Sequence, residues 1–329
     1  AGSLEAVSIG LGLGRRLIVA DNDPELSRRI DRLRGIRGRT DHESSPMIRS
    51  AYFCAGCPHN RSTSVPEDSR ALAGIGCHFM AQWMERNTSS FTQMGGEGAG
   101  WIGESMFSAD KHVFQNIGDG TYFHSGLLAI RAAIAAGTNI TFKILYNDAV
   151  VMTGGQSVDG SLDVPRITRQ VHAEGAKKIV VVTDEPGKYF RNADWAPNVE
   201  VRDRAELLLV QRELREVLGV TILVYDQTCA AEKRRRRSRG TLPTPDRRIL
   251  INEEVCEGCG DCGVQSNCVA IIPAESSAGR KRAIDQSSCN MDYSCVEGFC
   301  PSFVSVRGAR LVKAPLRDKF NSLSNTLLL

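Results

Sequence analysis

Hydrophobic positions are unevenly spread along the chain, and the richest pattern lies between residues 110 and 230. His112–Ile117 is a short, mostly apolar run that predicts a strand ending in Gly118-Asp119-Gly120. Leu127, Ile130 and Ile134 follow at helical spacing on one face. Ile140–Tyr146 and Lys178–Thr183 read as buried strands, the second carrying Ile179-Val180-Val181-Val182. Ala205–Val217 has an amphipathic helical pattern, and Val220–Tyr225 predicts a further strand. Strands alternating with helices predict an α/β domain on a mainly parallel sheet. Residues 1–50 carry little pattern. Gly10-Leu11-Gly12-Leu13-Gly14 has no clear strand before it and no identifiable ribose-binding acid after it. It is read as part of a linker, or the tail of an upstream domain, rather than as a nucleotide loop.

The pattern changes after the patterned region, which spans 51–232. Lys233-Arg234-Arg235-Arg236-Arg237 opens a basic stretch, 233–250, read as a solvated linker because no interleaved aromatics or known module argue for nucleic acid. A lesser reading is that it helps to dock an acidic electron carrier. Residues 251–305 are rich in Gly, Ser and Asp, leave little room for a core, and hold seven cysteines. That predicts a small domain folded around metal, with 306–329 as a tail or the start of something further.

Composition narrows the picture slightly. With 42% hydrophobic and 24% charged residues the chain is an ordinary soluble protein, and a net charge of +3 does not argue for nucleic acid or a membrane surface. No run of eighteen apolar residues and no export signal are found. The chain opens at Ala1 without an initiator Met, and is read as cytoplasmic and incomplete.

Eleven cysteines change the picture most. They fall in spaced groups, which in a reducing compartment more often hold metal than form disulfides. Cys256, Cys259 and Cys262 have C-x2-C-x2-C spacing, with Cys268 six residues on. A zinc site usually takes its ligands in pairs, so three close cysteines favour an iron–sulfur cubane. The second half runs Cys289, Asp292, Cys295, Cys300-Pro301, with Asp292 where a middle cysteine would stand. In two-cluster ferredoxins the distal cysteine of each half crosses to the other cluster. One set is then Cys256, Cys259, Cys262 and Cys300. The other is Cys268, Cys289 and Cys295, with Asp292 or solvent on the fourth iron. A carboxylate is a harder ligand than a thiolate, so that iron is expected to be labile and the cluster to convert readily to [3Fe-4S]. The alternative is one cluster, spare thiols and Asp292 as a surface acid.

A second chemistry sits upstream. Asp119 between two glycines is followed after 28 positions by Asn147. A diphosphate held through a hard divalent cation needs oxygen ligands, typically a carboxylate, a side-chain carbonyl and a backbone carbonyl. The spacing places both residues at strand ends on the carboxyl edge of the sheet, where α/β proteins bind ligands. Gly-Asp-Gly alone is more often a turn; with Asn147 it becomes a signal for thiamine diphosphate.

The runs Gly74-Ile75-Gly76-Cys77-His78, Met94-Gly95-Gly96-Glu97-Gly98, Gly118 through Gly126 and Tyr146-Asn147-Asp148-Ala149-Val150 resemble the indolepyruvate ferredoxin oxidoreductase family of thiamine-diphosphate-dependent enzymes. The resemblance continues through Asp226-Gln227-Thr228-Cys229-Ala230-Ala231-Glu232-Lys233 and the Cys256 region, covering residues 50 to 305. It implies that Asp119, the Asn147 side chain and the Ala149 backbone oxygen hold Mg2+. Gly118, Asp119, Gly120 and Thr121, with the loop from Asn147 to Met152, would line the cofactor, and His59 and Cys77 would lie near it. Related pyruvate-type enzymes present Asn where Met152 stands, an exchange that suits a larger, more apolar substrate side chain. Cys54-Ala55-Gly56-Cys57 alone reads as a redox pair or half a zinc site. The resemblance implies instead that Cys54, Cys57, Cys77 and Cys229 hold a proximal [4Fe-4S] cluster, which gives all eleven cysteines a use.

The implied reaction is oxidative decarboxylation of an aryl 2-oxoacid to its acyl-coenzyme A, with electrons passing through two or three clusters to ferredoxin. The glutamate that activates thiamine is not found here, Glu97 and Glu104 lying in the diphosphate-binding portion. It is expected on other domains of the same enzyme, and the chain alone is expected to turn over poorly. A homo-oligomer is expected, with no nucleic-acid or membrane partner. Two other classes compete: an electron-transfer module without a working thiamine site, and a non-redox thiamine decarboxylase with structural metal. The first has no use for Asp119 and Asn147; the second has none for eleven thiolates.

Overall fold

In the computed structural model, which describes residues 6–20, 23–42, 50–149, 162–189 and 193–309, residues 1–50 form one unit and 51–329 another. The first unit holds two helices, α1 (Ala6–Ala20) and α2 (Pro24–His42), where the weak pattern predicted a linker. The glycine run lies inside α1 and serves helix packing. A side chain at Gly14 would meet Ile30 at 2.7 Å and one at Gly10 would meet Leu33 at 3.0 Å. Leu11 and Ile30 are buried between the helices. Glycines supply part of the α1 side of that contact, so its large apolar residues alone do not trace a period of 3.6.

The second unit is built on a seven-stranded sheet. Its strands are β1 (Ala71–Leu72), β2 (Thr88–Ser89), β3 (Val113–Gly118), β4 (Ile140–Tyr146), β5 (Lys178–Thr183), β6 (Glu200–Asp203) and β7 (Val220–Asp226). The order is β2-β1-β3-β4-β7-β5-β6 and every pairing is parallel. Central strands of a parallel sheet are covered on both faces, which is why β4, β5 and β7 read as unbroken apolar runs. Ile117, Phe142, Ile144, Val181 and Val224 belong to one buried core, and Leu145, Val180, Val182 and Leu223 to a second. The strands expected at 112–117, 140–146, 178–183 and 220–225 are present within a residue at each end. The two-residue strands β1 and β2 are too short to leave a periodicity.

The helices of this unit are α3 (His59–Ser62), α4 (Ala99–Glu104), α5 (Asp119–Thr121), α6 (Leu127–Ala135), α7 (Val164–Glu174), α8 (Leu207–Arg215), α9 (Ala230–Ser238) and α10 (Asp261–Ser266). The expected helix at 205–217 is α8, entered through a 3-10 turn at Arg204–Glu206. The basic run, expected as a solvated linker, is instead most of α9. Arg236 pairs with Glu232 and Asp148, Lys233 with Asp184, and Arg237 donates to the Asn290 carbonyl at 2.9 Å. A run of like charge becomes helical here because carboxylates and carbonyls of neighbouring segments neutralise it.

Residues 247–307 form two small antiparallel pairs. β8 (Arg247–Ile251) pairs with β11 (Phe303–Arg307), and β9 (Ile271–Ser276) with β10 (Gly279–Ile284). The cysteine loops run between them.

One core position breaks the apolar pattern. Lys143 on β4 is fully buried and its Nζ donates to the Ser64 carbonyl at 2.9 Å. Burial, with Arg86 adding a like charge, lowers its pKa to about 7. The unfolded chain keeps this proton up to about pH 10 while the folded chain releases it near 7, so stability rises with pH across that window. The contribution is roughly 4–5 kcal/mol at most. Lys143→Met keeps the length and drops the charge. It is expected to raise the melting temperature at pH 7 and to flatten the rise toward pH 10, which calorimetry across the range reads directly.

Candidate functional site

β3 ends at Gly118, and the chain turns directly into α5 at Asp119, so the carboxylate sits at the carboxyl edge of the sheet. Asp119 is buried. Its Oδ1 accepts from the Gly120 N–H at 2.8 Å, and its Oδ2 accepts from the N–H groups of Asn147 at 2.9 Å and Asp148 at 3.2 Å. Burial nevertheless dominates and pushes its pKa up to about 6. A carboxylate so placed favours a cation beside it.

β4, the next strand in the sheet, ends at Tyr146 and delivers Asn147 to the same edge. The Asn147 side-chain oxygen is buried and has no hydrogen-bond partner among the described residues. A buried amide oxygen left unpaired is costly, and a hard cation is one group that would satisfy it. Asp148 has φ of +61°, which turns the chain sharply toward the buried Ala149. The Asn147 backbone thus meets Asp119 and Ala149 follows on the same turn; a carboxylate, an amide oxygen and a backbone carbonyl are the kinds of donor that suit Mg2+. Thr121 is buried on α5. Met152 lies outside the described residues.

Two histidines stand against this edge. His59 and His78 are buried, with ring centroids 5.5 Å apart and edge to face. Burial lowers the pKa of His59 to about 4 and that of His78 well below the usual histidine range, so both rings are neutral at pH 7. His59 Nδ1 meets the Ser62 hydroxyl at 3.2 Å, whereas neither ring nitrogen of His78 has a partner among the described residues. His78 Nε2 lies 3.6 Å from where a side chain on Gly118 would begin. The side-chain amide of Asn116 on β3 also has no partner among the described residues. His78 and Asn116 were missed by the sequence reading. His78 had a signal, being next to Cys77 in a family-like run; Asn116 had none.

Glu97 is buried and accepts from the N–H groups of Gly95 at 2.6 Å and Ile75 at 3.4 Å, so it braces the loop leading to Cys77. Glu104 is tied to Arg70 at 2.6 Å.

The cysteines sort into three sets. The thiol of Cys57 lies within electrostatic reach of Cys229, Cys54 and Cys77; Cys77 of Cys229 and Cys54; and Cys229 of Cys54. All six pairings of this quartet are therefore present. The Cys229 N–H donates to the Asn147 carbonyl at 3.0 Å, which ties the quartet to the Asp119 edge. Cys262 is in reach of Cys256, Cys259 and Cys300, and these four line one cavity together with Phe299 and Arg282. Cys295 is in reach of Cys289, Cys268 and Asp292, and Cys268 of Cys289 and Asp292. Burial raises the thiols of Cys57, Cys77, Cys229, Cys262 and Cys268, and pushes Cys295 up to about 12. Bringing several thiols together in poor contact with water is unfavourable to the thiolates unless a cation joins them. Among the described residues no three His, Cys, Asp or Glu side chains converge as ligands of a single metal ion do. A cubane asks for a different arrangement, with one thiolate for each iron.

Residues 74–188 match the family described as thiamine pyrophosphate enzyme, C-terminal TPP binding domain. The chain is 28% identical over 288 residues to indolepyruvate oxidoreductase subunit IorA of Pyrococcus horikoshii, covering 80% of this chain and 42% of that protein. It is 26% identical over 276 residues to the IorA subunit of Thermococcus kodakarensis, covering 77% of this chain and 40% of that one. These relatives are of the kind that the motifs resemble. The chain spans about two fifths of their length. Among solved structures, 2-oxoglutarate:ferredoxin oxidoreductase from Magnetococcus marinus aligns with a TM-score of 0.41 at 17% identity, over 62% of this chain and 72% of that one. No helix among the described residues is long and apolar enough to cross a membrane.

Proposed function

We propose that this chain is the thiamine-diphosphate and iron–sulfur portion of an enzyme that oxidises an aryl 2-oxoacid such as indolepyruvate. The balanced reaction takes the 2-oxoacid, coenzyme A and two oxidised ferredoxins, and gives acyl-coenzyme A, CO2, a proton and two reduced ferredoxins. The observation that carries the reading is the sorting of eleven thiols into three sets, one of them bonded to the loop that presents Asn147 opposite Asp119. A decarboxylase without redox chemistry has no use for those sets, and a bare electron carrier has none for the Asp119 edge.

Thiamine diphosphate supplies the means of removing CO2 from a 2-oxoacid and leaving an electron-rich carbon. Asp119, Asn147 and the Ala149 carbonyl would hold Mg2+ against its diphosphate. Neutral His59 and His78 and the glycines at 74, 76 and 118 leave an enclosed, close-packed edge from which water is largely displaced. Cys54, Cys57, Cys77 and Cys229 would hold the first cluster. The set with Asp292 and the set around Cys262 would hold two more in a ferredoxin-like domain, where the Asp292-facing iron is expected to be the labile one. Met in place of Asn at 152 would suit a larger, more apolar substrate side chain. Other domains of the same enzyme would complete the thiamine site, and we place the protein in the cytoplasm as a homo-oligomer.

Protein purified without oxygen is expected to contain about twelve irons with matching sulfide and bound thiamine, or slightly fewer irons if one cluster is open. About eight irons without thiamine would favour an electron-transfer module. Zinc with little iron would remove the proposal. Within the complete enzyme, indolepyruvate-dependent release of CO2 with ferredoxin reduction checks the reaction itself.

A further inference from the structure

The third thiol set is stitched to the first by a buried polar network that the reaction scheme does not require. Arg204, in the turn before α8, donates from Nη1 to Asp292 Oδ1 at 2.6 Å and from Nη2 to the Asp292 carbonyl at 2.7 Å. Its Nη2 also reaches Glu297 Oε1 at 3.0 Å, and Glu297 pairs in turn with Arg61 on α3, the helix that follows Cys57. Gln227, at the end of β7 two residues before Cys229, donates to the same Asp292 Oδ1 at 2.6 Å. The Gln227 amide is itself fixed by the Tyr225 hydroxyl at 2.9 Å. Arg204 and Asp292 have side chains only 11% and 10% exposed, so this ion pair is largely shielded from water.

The contacts extend beyond the ion pair. The Gly56 N–H, between Cys54 and Cys57, lies close enough to the Cys268 thiol to lower its pKa, against the larger raising effect of burial. A side chain on Gly56 would begin 3.0 Å from Asp292 Cβ, and Gly56 has φ of +68°, so the two loops meet with no space to spare. Asn290 Nδ2 donates to the Ala230 carbonyl, next to Cys229, at 2.9 Å. The Asp292 loop therefore touches two of the three segments that carry the first thiol set, those of Cys54–Cys57 and Cys229. A buried ion pair adds little net stability, and its best-attested use is to fix register.

We infer that Arg204, with Gln227, is a positioning residue that clamps Asp292 and so holds the Cys268–Cys289–Cys295 set at a fixed short distance from the Cys54–Cys57–Cys77–Cys229 set. This rests on the iron–sulfur reading above. The groups these two sets would hold would pass electrons one at a time, the first being oxidised as the second is reduced, and the clamp would fix the gap between the two thiol sets. It also commits one oxygen of Asp292 to Arg204 and Gln227, so that Oδ2, which has no partner among the described residues, would be the oxygen to face iron.

The test is EPR of dithionite-reduced protein purified without oxygen, alongside its iron and sulfide content. The wild type is expected to show signals broadened by spin–spin coupling between neighbouring clusters. Arg204→Met at unchanged iron is expected to lose the broadening that arises between these two sets, with Arg204→Lys restoring part of it. Gln227→Glu, which sets a second carboxylate against Asp292, is expected to act like Arg204→Met and serves should that variant lose iron. Unchanged coupling in both variants at full iron overturns the clamp and leaves the clusters standing. Loss of iron from every set in both variants assigns these residues a general structural role and also overturns it. A wild type without iron overturns the cluster reading, and the clamp with it.

Discussion

Replacing Asp119 with Asn will weaken thiamine diphosphate binding in the presence of Mg2+ by roughly 100-fold, the upper end of what the loss of a group merely supporting a metal's ligands costs. The reason lies in the donor set. Asp119 is the carboxylate that meets the Asn147 backbone across neighbouring strand ends, and it and the Asn147 side-chain oxygen, which has no partner among the described residues, are both buried. An amide at 119 can still accept from the N–H groups of Gly120, Asn147 and Asp148, so the turn is kept. What it loses is the negative charge that offsets the cation. The expected thermal signature follows. Thiamine diphosphate with Mg2+ raises the melting temperature of the wild type, because a ligand that binds only the folded chain stabilises it, and leaves Asp119→Asn unmoved. Equal ligand-induced shifts in the two proteins would remove Asp119 from the metal site.

The second large effect concerns iron. Single substitutions Cys57→Ala, Cys262→Ala and Cys295→Ala are each expected to remove about four of about twelve irons while leaving the rest. The three sets are mutually reinforcing within themselves: every pairing of the Cys57 quartet is present, and Cys262 and Cys295 each keep company with the partners that the crossed ferredoxin pattern implies. Buried thiols left without their cation are neutral and become ordinary, poorly solvated side chains. Cys57→Ala is expected to be the most damaging, since Cys57 also packs with Phe53, Ala81 and Ala230 in a small apolar cluster beside the Asp119 edge. Metal analysis of the three variants decides between three sets and any other division. If Cys262→Ala and Cys295→Ala remove the same irons, the seven downstream cysteines serve a single cluster.

Much of this was legible in the residues alone. Ile140–Tyr146, Lys178–Thr183 and Val220–Tyr225 were readable as buried parallel strands because both faces of a central strand are apolar. The Asp119–Asn147 spacing was readable because one helix separates two adjacent strand ends. Cysteine spacing fixed the local triplets for the same reason: a short loop can curl around a small object whatever the rest of the fold does. Sequence could not supply anything that depends on segments far apart in the chain. Cys54, Cys57, Cys77 and Cys229 were grouped only through a resemblance, and their meeting is decided by β1, β7 and the loops that leave them. The unpaired nitrogens of His78 and the unpaired oxygen of Asn147 are properties of burial, which no spacing encodes. The two helices Ala6–Ala20 and Pro24–His42 were missed because glycines supply part of their contact beside Leu11 and Ile30. The arginine run at 233–237 carries no sign of its partners in its own composition. Asp148, Asp184 and Asn290 reach it only once the sheet has closed. Local pattern determines which elements form, because it is set by neighbouring residues. Which charges are neutralised and which polar groups are left waiting for a ligand is set by long-range packing, and only the tertiary structure decides it.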